Sequence, residues 1–477
     1  MENVYPPQDA LKIIAAEGSG GTPEKVVITA PAIVKPGESF SLKIAVTDRQ
    51  GLATVGVSGS LEIWLEDIRL QEIRFPQNEP ALVSAETAVI RDEGFYRFRG
   101  VFQDRTFYSN PVYCSSTGGN IFWGDPHIHT ALSNCNAQYS RSCTFAYYAA
   151  RYLSCLDWIT AADHVSGGRC ELARWKEESA ISDLHNDAGR FVTLPGYEES
   201  LKGGAGGDNN VYMTKFPSMF VDEFEGGNTL TLVQELEKQA EEEQFDFFIV
   251  PHHTTRTVKH GEITGDIYPG PERMPLVEIH SKWGTSEYRG NPTPLHKIHP
   301  GPSYSDDLLH KGLPLGFMGG TDTHATLTFG TEIEPGHIDR PAGITGVYCE
   351  DLTRQNIFKA LKNRSCYAVK GERIFLEVKV NGSPMGSILK DDGSGRILTW
   401  KAAAAGNIRT VEIIRNGEVI HREEPENWHT QGGYRDNDTF RLVMLNAPPL
   451  DNFIYYYIRL TCVSGAMAWS SPVWVTA

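Results

Sequence analysis

The stretch "NIFWGDPHIHTALSNC", residues 120–135, decides how the rest of the chain is read. An apolar run enters two histidines one residue apart, Asp125 precedes them, and small polar residues follow. Alone, the pattern fits an ordinary strand end with surface histidines. Its recurrence changes that reading. Six short apolar runs each finish in a residue able to bind metal: "NIFWGDPHIH", "LDWITAADH", "RFVTLPGYE", "DFFIVPHH", "PLVEIH" and "LGFMGGTDTH".

Between several of these runs lie stretches of helical character, "TFAYYAARYLS", "ELARWKEESAISDLHNDAG", "LTLVQELEKQAEEE" and "LTRQNIFKALKNR". Continuous hydrophobic strands alternating with amphipathic helices predict a parallel α/β core. In a parallel barrel the loops at the C-terminal strand ends converge on one face. The expected ligand candidates, His127, His129, His164, Glu198, His252, His280, Asp322 and His324, would then point into one bowl. Imidazole and carboxylate together suit zinc, manganese or iron, and a bridging carboxylate can hold two ions.

The flanks read differently. "SFSLKIAV" alternates through Phe40, Leu42, Ile44 and Val46, "LEIWL" does so through Leu61, Ile63 and Leu65, and turn signals break the runs. "IFLEVKVNG", "VEIIRNGEVI" and "FIYYYIRL" repeat the style near the C-terminus. Three domains are therefore expected: a β-sandwich-like domain over 1–118, the metal-binding α/β domain over 119–371, and a second β-sandwich-like domain over 372–477. A chain of 477 residues is long enough for this division.

Composition narrows the function. Hydrophobic residues at 40% and charged residues at 22% indicate a globular chain. A formal charge of −16 argues against binding long nucleic acid, whose phosphates reward a basic surface. No secretory signal and no long apolar span are read in the sequence, so no membrane association is expected. Eight scattered cysteines with no C-x-x-C pair suggest reduced thiols and a cytoplasmic setting.

At this point the motifs resemble those of the polymerase and histidinol phosphatase (PHP) superfamily of metal-dependent hydrolases. "GDPHIHTALSN" resembles its first motif, "TAADH" the second, "PGYE" the bridging-carboxylate motif, "PHH" the single-histidine motif and "GGTDTH" the closing Asp-x-His. The resemblance covers roughly residues 120 to 372. With "VEIHSKWGTSE" and "LTRQNIFKALKNRSCYAVKGERI", the chain is most similar to the large branch of the superfamily known as a domain of unknown function.

The resemblance implies a distorted (β/α)7 barrel and two or three divalent ions (Mn, Zn or Fe). It implies that His127, His129, Glu198 and Asp322 surround one ion. Glu198 would bridge to a second ion held by His252 and His280, and a third would sit between His164 and His324. Glu278 and Glu287 are local alternatives to His280. Where the family supplies a further ligand after the first motif, this chain has Asn134 and Cys135. The third site is thus left open to be weak, empty or completed by the Cys135 thiolate. Asp125 and Asp163 precede ligand histidines and are expected to orient imidazoles through the distal N–H.

The expected chemistry is hydrolysis by a metal-bridged hydroxide. His253 is the candidate proton donor or substrate contact, and Arg256 and Lys282 are the candidate clamp for an anionic group. The expected substrate is a small anionic phosphoester: a mono- or diester or a phosphonate ester. The alternatives are a carboxylic ester, lactone or amide cleaved by the same centre, and a non-catalytic binding protein. The glycine-rich "KGGAGGDNNVYM" is read as a loop over the bowl, with Asn209 and Asn210 near substrate. Oligomeric state is not legible.

Overall fold

In a computed structural model the chain is described over residues 5–133, 141–201, 206–256, 265–295, 303–327, 341–438, 441–443, 450 and 452–477. A first helix, Gln8–Gly18, leads into strands that form small antiparallel sheets. The strands Lys25–Thr29, Ser39–Thr47 and Leu82–Val89 make one. The strands Ile68–Arg74, Ser60–Leu65, Phe98–Phe102 and Arg105–Tyr108 make another. The alternation read in the sequence is spent as expected, since Phe40, Leu42, Ile44 and Val46 share one core with Leu61 and Ile63. The first helix joins a different core, shared with Ala45 and Leu82 of those strands. Its Ala10, Leu11 and Ile14 pack on Phe145, Ala149 and Tyr152 of the α/β unit.

In the α/β unit, the strand Asn120–Ile128 runs parallel to Trp158–Ala161, which runs parallel to Val192–Thr193. Its other edge is antiparallel to Gly343–Cys349, itself antiparallel to Cys366–Lys370. Gly124 admits the neighbouring strand's indole, because a Cβ there would sit 2.1 Å from the Trp158 ring. The strands Gly196–Ser200, Asp208–Met213 and Phe247–His252 form a separate antiparallel ladder. The strand Leu276–Ser281 pairs in parallel with Gly316–Gly319. The expected helices are present at Leu172–His185, Thr229–Glu243 and Arg354–Lys362. Thr229–Glu243 is capped by Asn228, whose side chain accepts from Leu230 N and Thr231 N, and it buries Leu232, Val233, Leu236 and Ala240.

The uniform parallel β/α alternation expected from the sequence is not what the described residues form. Strands are mixed in direction and divided among several sheets. The link from Ser200 to Asp208 is too short for a crossover helix, so the next strand must return antiparallel. The glycine-rich stretch expected to be all loop therefore supplies a fully buried strand from Asp208 onward.

The α/β unit and the C-terminal strands share one sheet. Cys366–Lys370 pairs with Met467–Ser470, which pairs with Asn452–Cys462, which pairs with Ile408–Arg415. Hydrogen bonding thus continues past the boundary expected at 371/372. A second C-terminal sheet contains Phe375–Val380, Arg396–Ala403 and His429–Asp436. Ile121, Trp123 and Ile344 of the α/β unit lie in one core with Leu376, Trp400 and Ile454. Among the described residues no helix is long and apolar enough to cross a membrane, and the seven described cysteines are free thiols.

Candidate metal centre

The end of the strand Asn120–Ile128 and the "TDTH" segment lie side by side. His129 N donates to Thr323 O at 2.9 Å, and Asp322 N donates to His127 O at 2.7 Å. Asp322 has φ 51°, in the left-handed region that non-glycine residues adopt infrequently. That twist accompanies a carboxylate aimed at both histidines, with Asp322 Oδ1 3.2 Å from His129 Nε2 and 3.5 Å from His127 Nε2. The preceding glycine is a packing requirement, because a Cβ on Gly320 would meet Glu278 Oε2 at 2.6 Å and His127 Cβ at 2.8 Å.

Glu198 lies at the middle of the cluster. An isolated bridge between His164 and Glu198 brings the ends of two runs together. Glu198 Oε2 is 3.4 Å from His127 Nε2, 3.2 Å from His129 Nε2 and 3.2 Å from His164 Nδ1. Its Oε1 is 3.4 Å from His252 Nε2. The rings of His129 and His164 stack with centroids 4.4 Å apart, and His129 and His324 stack at 4.3 Å. Donor atoms converge within 4.8 Å in four sets: His129, His164 and His324; His127, His129 and Glu198; His127, His252 and Asp322; and Asp208, His252 and His253.

Burial opposes charge on Glu198, but the imidazoles of His164, His252, His127 and His129 outweigh it and hold the carboxyl well below its ordinary range. Asp322 behaves alike: burial works against its charge, and His127, His129 and His253 hold it low. His127 is pushed up by Asp322, Glu278 and Glu198 against its own burial. Burial, with the charge of His129, drives His324 well down. Despite this proximity, Glu198 Oε2 and His127 Nε2 are buried without a hydrogen bond. Anionic oxygens set among imidazole nitrogens at such distances have the donor chemistry of a divalent-ion site.

Some side chains orient the cluster. His127 Nδ1 lies 3.0 Å from Glu278 Oε2, and His129 Nδ1 lies 3.1 Å from Ser133 Oγ. Each contact fixes one ring nitrogen and leaves Nε2 facing Glu198 and Asp322. The expectation that Asp125 and Asp163 orient imidazoles is corrected. Asp125 accepts from His127 N, Thr321 N and Thr321 Oγ1 at 3.1, 3.0 and 2.6 Å, and Asp163 accepts from Thr130 N and Oγ1, both at 2.6 Å. They tie strand ends together. Burial pushes Asp125 up to about 7 and raises Asp163.

His280 is also corrected. Its Nδ1 lies 2.9 Å from Thr285 Oγ1, its Nε2 lies 3.1 Å from Pro341 O, and its ring stacks on Trp469. A register shift between Glu278 and His280 interrupts the parallel ladder. Such an irregularity re-aims a side chain, so Glu278 meets His127 while His280 joins none of the converging donor sets. The second local alternative, Glu287, is bonded to Tyr457, Arg459 and Trp469 of the C-terminal strands.

A cavity of about 340 Å³ opens over the cluster, with Arg169, Leu201, Phe224, Arg256 and Trp283 in its wall. The Arg256 guanidinium lies 5.1 Å from the centre of the Trp283 ring, and Trp283 Nε1 donates to Asp322 O at 3.2 Å. Lys282, the other expected clamp residue, does not line this cavity; its ammonium lies 5.2 Å from the Trp283 ring centre. His253 does line it, with Nε2 3.0 Å from Asp322 Oδ2 and Nδ1 3.9 Å from Asp208 Oδ2. Burial disfavours its charge, yet Asp208 and Asp322 raise it to about 9. Asn209 donates to Gly206 O and Gly207 O and does not line the cavity. Asn134 and Cys135 lie outside the described residues. Sequence reasoning missed Asp208 and Arg169. Nothing marked Arg169, whereas Asp208 carried a faint signal as the first charged residue after the glycines.

No family model matches the chain. It is 26% identical over 98% of its length to an uncharacterized protein of Chlamydia pneumoniae, covering 76% of that protein. It is 25% identical over 96% of its length to an uncharacterized protein of Chlamydia trachomatis, covering 74% of that one. A solved two-domain protein from Bacteroides vulgatus, described as containing a predicted PHP-like metal-dependent phosphoesterase, is 13% identical with a TM-score of 0.37 over 72% of this chain and 91% of its own. A likeness that loose leaves the case for the site to the residues themselves.

Proposed function

We propose that the chain is a metal-dependent hydrolase of small anionic phosphoesters, built on a distorted PHP-type barrel over 119–371 with β-rich domains at 1–118 and 372–477. The observation that carries this reading is the Glu198 carboxylate, buried among four imidazoles that approach its two oxygens from three separate segments. His127, His129, Glu198 and Asp322 would hold one manganese, zinc or iron ion, and His164 and His324 would serve another beside His129. Divalent ions held there supply a Lewis acid and a water of lowered pKa.

The chain's own residues do the rest. Glu278 and Ser133 hold the two imidazoles of the His-x-His pair with Nε2 inward. Arg256, on the cavity wall, binds an anionic group beside Trp283. Leu201, Phe224 and Trp283 exclude water from the bound substrate and so strengthen that contact.

The test is a panel of phosphomonoesters, phosphodiesters, phosphonate esters, carboxylic esters and lactones, run with each metal in turn. Phosphoester turnover is expected, inhibited by inorganic phosphate. Arg256→Ala should lower kcat/KM by about 10- to 100-fold, the loss of one charge-assisted hydrogen bond. Turnover confined to carboxylic esters or lactones, indifferent to both phosphate and Arg256→Ala, would overturn the phosphoester assignment.

A further inference from the structure

We infer that Asp208, His252 and His253 form an ion site of their own, taking the place that His252 and His280 were expected to share. This rests on the reading of the centre as metal-binding and deepens it by naming a different donor set.

The local backbone argues for the site first. Asp208 and His252 face each other directly across the antiparallel ladder. Opposed residues on such a pair project to the same side of the sheet, with their Cβ atoms about 4.5–5.5 Å apart. His253 follows at once, and regular strand geometry would send it to the opposite face. Instead it has φ 53°, a left-handed conformation that breaks the alternation. Its ring lies beside that of His252, with centroids 4.8 Å apart, and both line the cavity. Donor atoms from the three residues fall within 4.8 Å of one another.

Connection to the first site comes next. His252 Nε2 lies 3.4 Å from Glu198 Oε1, so Glu198 presents one oxygen to each neighbourhood. His253 Nε2 lies 3.0 Å from Asp322 Oδ2. The two donor sets therefore adjoin through Glu198 and Asp322, and His280 takes part in neither. Two imidazoles with one or two carboxylates suit manganese, iron or zinc. In this role His253 is a ligand and not the proton donor expected from the sequence. The left-handed backbone at a non-glycine residue then has a purpose, since it turns a second imidazole toward the same ion.

The experiment measures metal, not turnover. The full chain is stripped with chelator, reloaded with Mn(II), desalted and assayed for ions per chain by mass spectrometry, with electron paramagnetic resonance recorded on the same samples. Asp208→Asn and His253→Gln should each hold one ion fewer than the native chain and lose the part of any spin-coupled signal that involves that ion. His280→Gln should keep the native count. Using both Asp208→Asn and His253→Gln guards against one variant failing to fold, which circular dichroism reports. The inference is overturned if folded Asp208→Asn and His253→Gln retain the native count while His280→Gln loses an ion. A native chain that binds no ion, or a count indifferent to Glu198→Gln, overturns the metal-centre reading itself.

Discussion

Glu198 and Glu287 are buried to nearly the same degree, 2% and 1% exposed, yet their oxygens meet opposite company. Glu287 Oε1 accepts from Tyr457 Oη at 3.0 Å and Arg459 Nη1 at 2.8 Å, and Oε2 accepts from Trp469 Nε1 at 2.8 Å. Arg459 continues to Glu412 Oε2 at 2.8 Å. Every donor in that set is fixed and satisfied. Around Glu198 the neighbours are imidazoles, whose ring nitrogens are themselves able to coordinate a metal ion. A buried carboxylate with permanent donors ties elements together, whereas one ringed by exchangeable donors is suited to bind. Burial alone does not separate the two cases; the chemistry of the partners does.

The largest effect expected from this contrast is on stability at the C-terminal seam. Glu287→Ala strips Arg459 of one buried partner and should cost on the order of 3 kcal/mol. It should leave ions per chain unchanged. Urea denaturation and metal content, measured together, check both halves. A variant that lost ions would place Glu287 in the centre and break the comparison.

The second expected effect is conditional on metal. At about a hundredfold excess of Mn(II) over its dissociation constant, the native chain should gain about 2.7 kcal/mol of stability. Glu198→Gln should lose most of that increment while its metal-free stability falls by less than that of Glu287→Ala, because the isosteric amide still fills the site and can bond a neighbouring imidazole nitrogen. A metal-free variant as damaged as Glu287→Ala would show that Glu198 is structural after all.

The contrast also explains what the sequence revealed. His127, His129, His164, Glu198, His252, Asp322 and His324 each close an apolar run, and strand ends converge, so their donor atoms come together as the sequence led one to expect. The error over His280 has a local cause. Along Leu276–Ser281, Glu278 and His280 have the same parity, so regular alternation would aim both at one place. Only the register shift between them separates their directions, and a bulge leaves no mark in composition. Asp208 was missed because glycines before it read as loop, and a strand buried on both faces lacks the alternation that announces one. The mixed strand directions were hidden for a related reason: run lengths predict strands, while only connection lengths set their sense.

The smallest effect concerns a histidine on the seam side, where donors are fixed but one group can still titrate. Asp306 N donates to Glu287 O at 2.9 Å, which ties the Ser305–His310 helix to the same seam. His310 Nδ1 lies 3.2 Å from Asp306 Oδ1 and 3.1 Å from Tyr455 Oη. Its hydrogen bond to Asp306 raises it to about 9, against the opposing effect of burial. A raised histidine contributes stability that is fully present below its unfolded pKa of about 6.5 and is lost as pH climbs through about 9. The side chain is 38% exposed, so solvent screens much of the interaction. The urea midpoint of the native chain should therefore fall slightly more between pH 6.5 and 9.5 than that of His310→Gln, with the two converging at the alkaline end. Parallel profiles would show that the Asp306–His310 pair adds nothing to the seam. Convergence on the acid side would reverse the sign argued here.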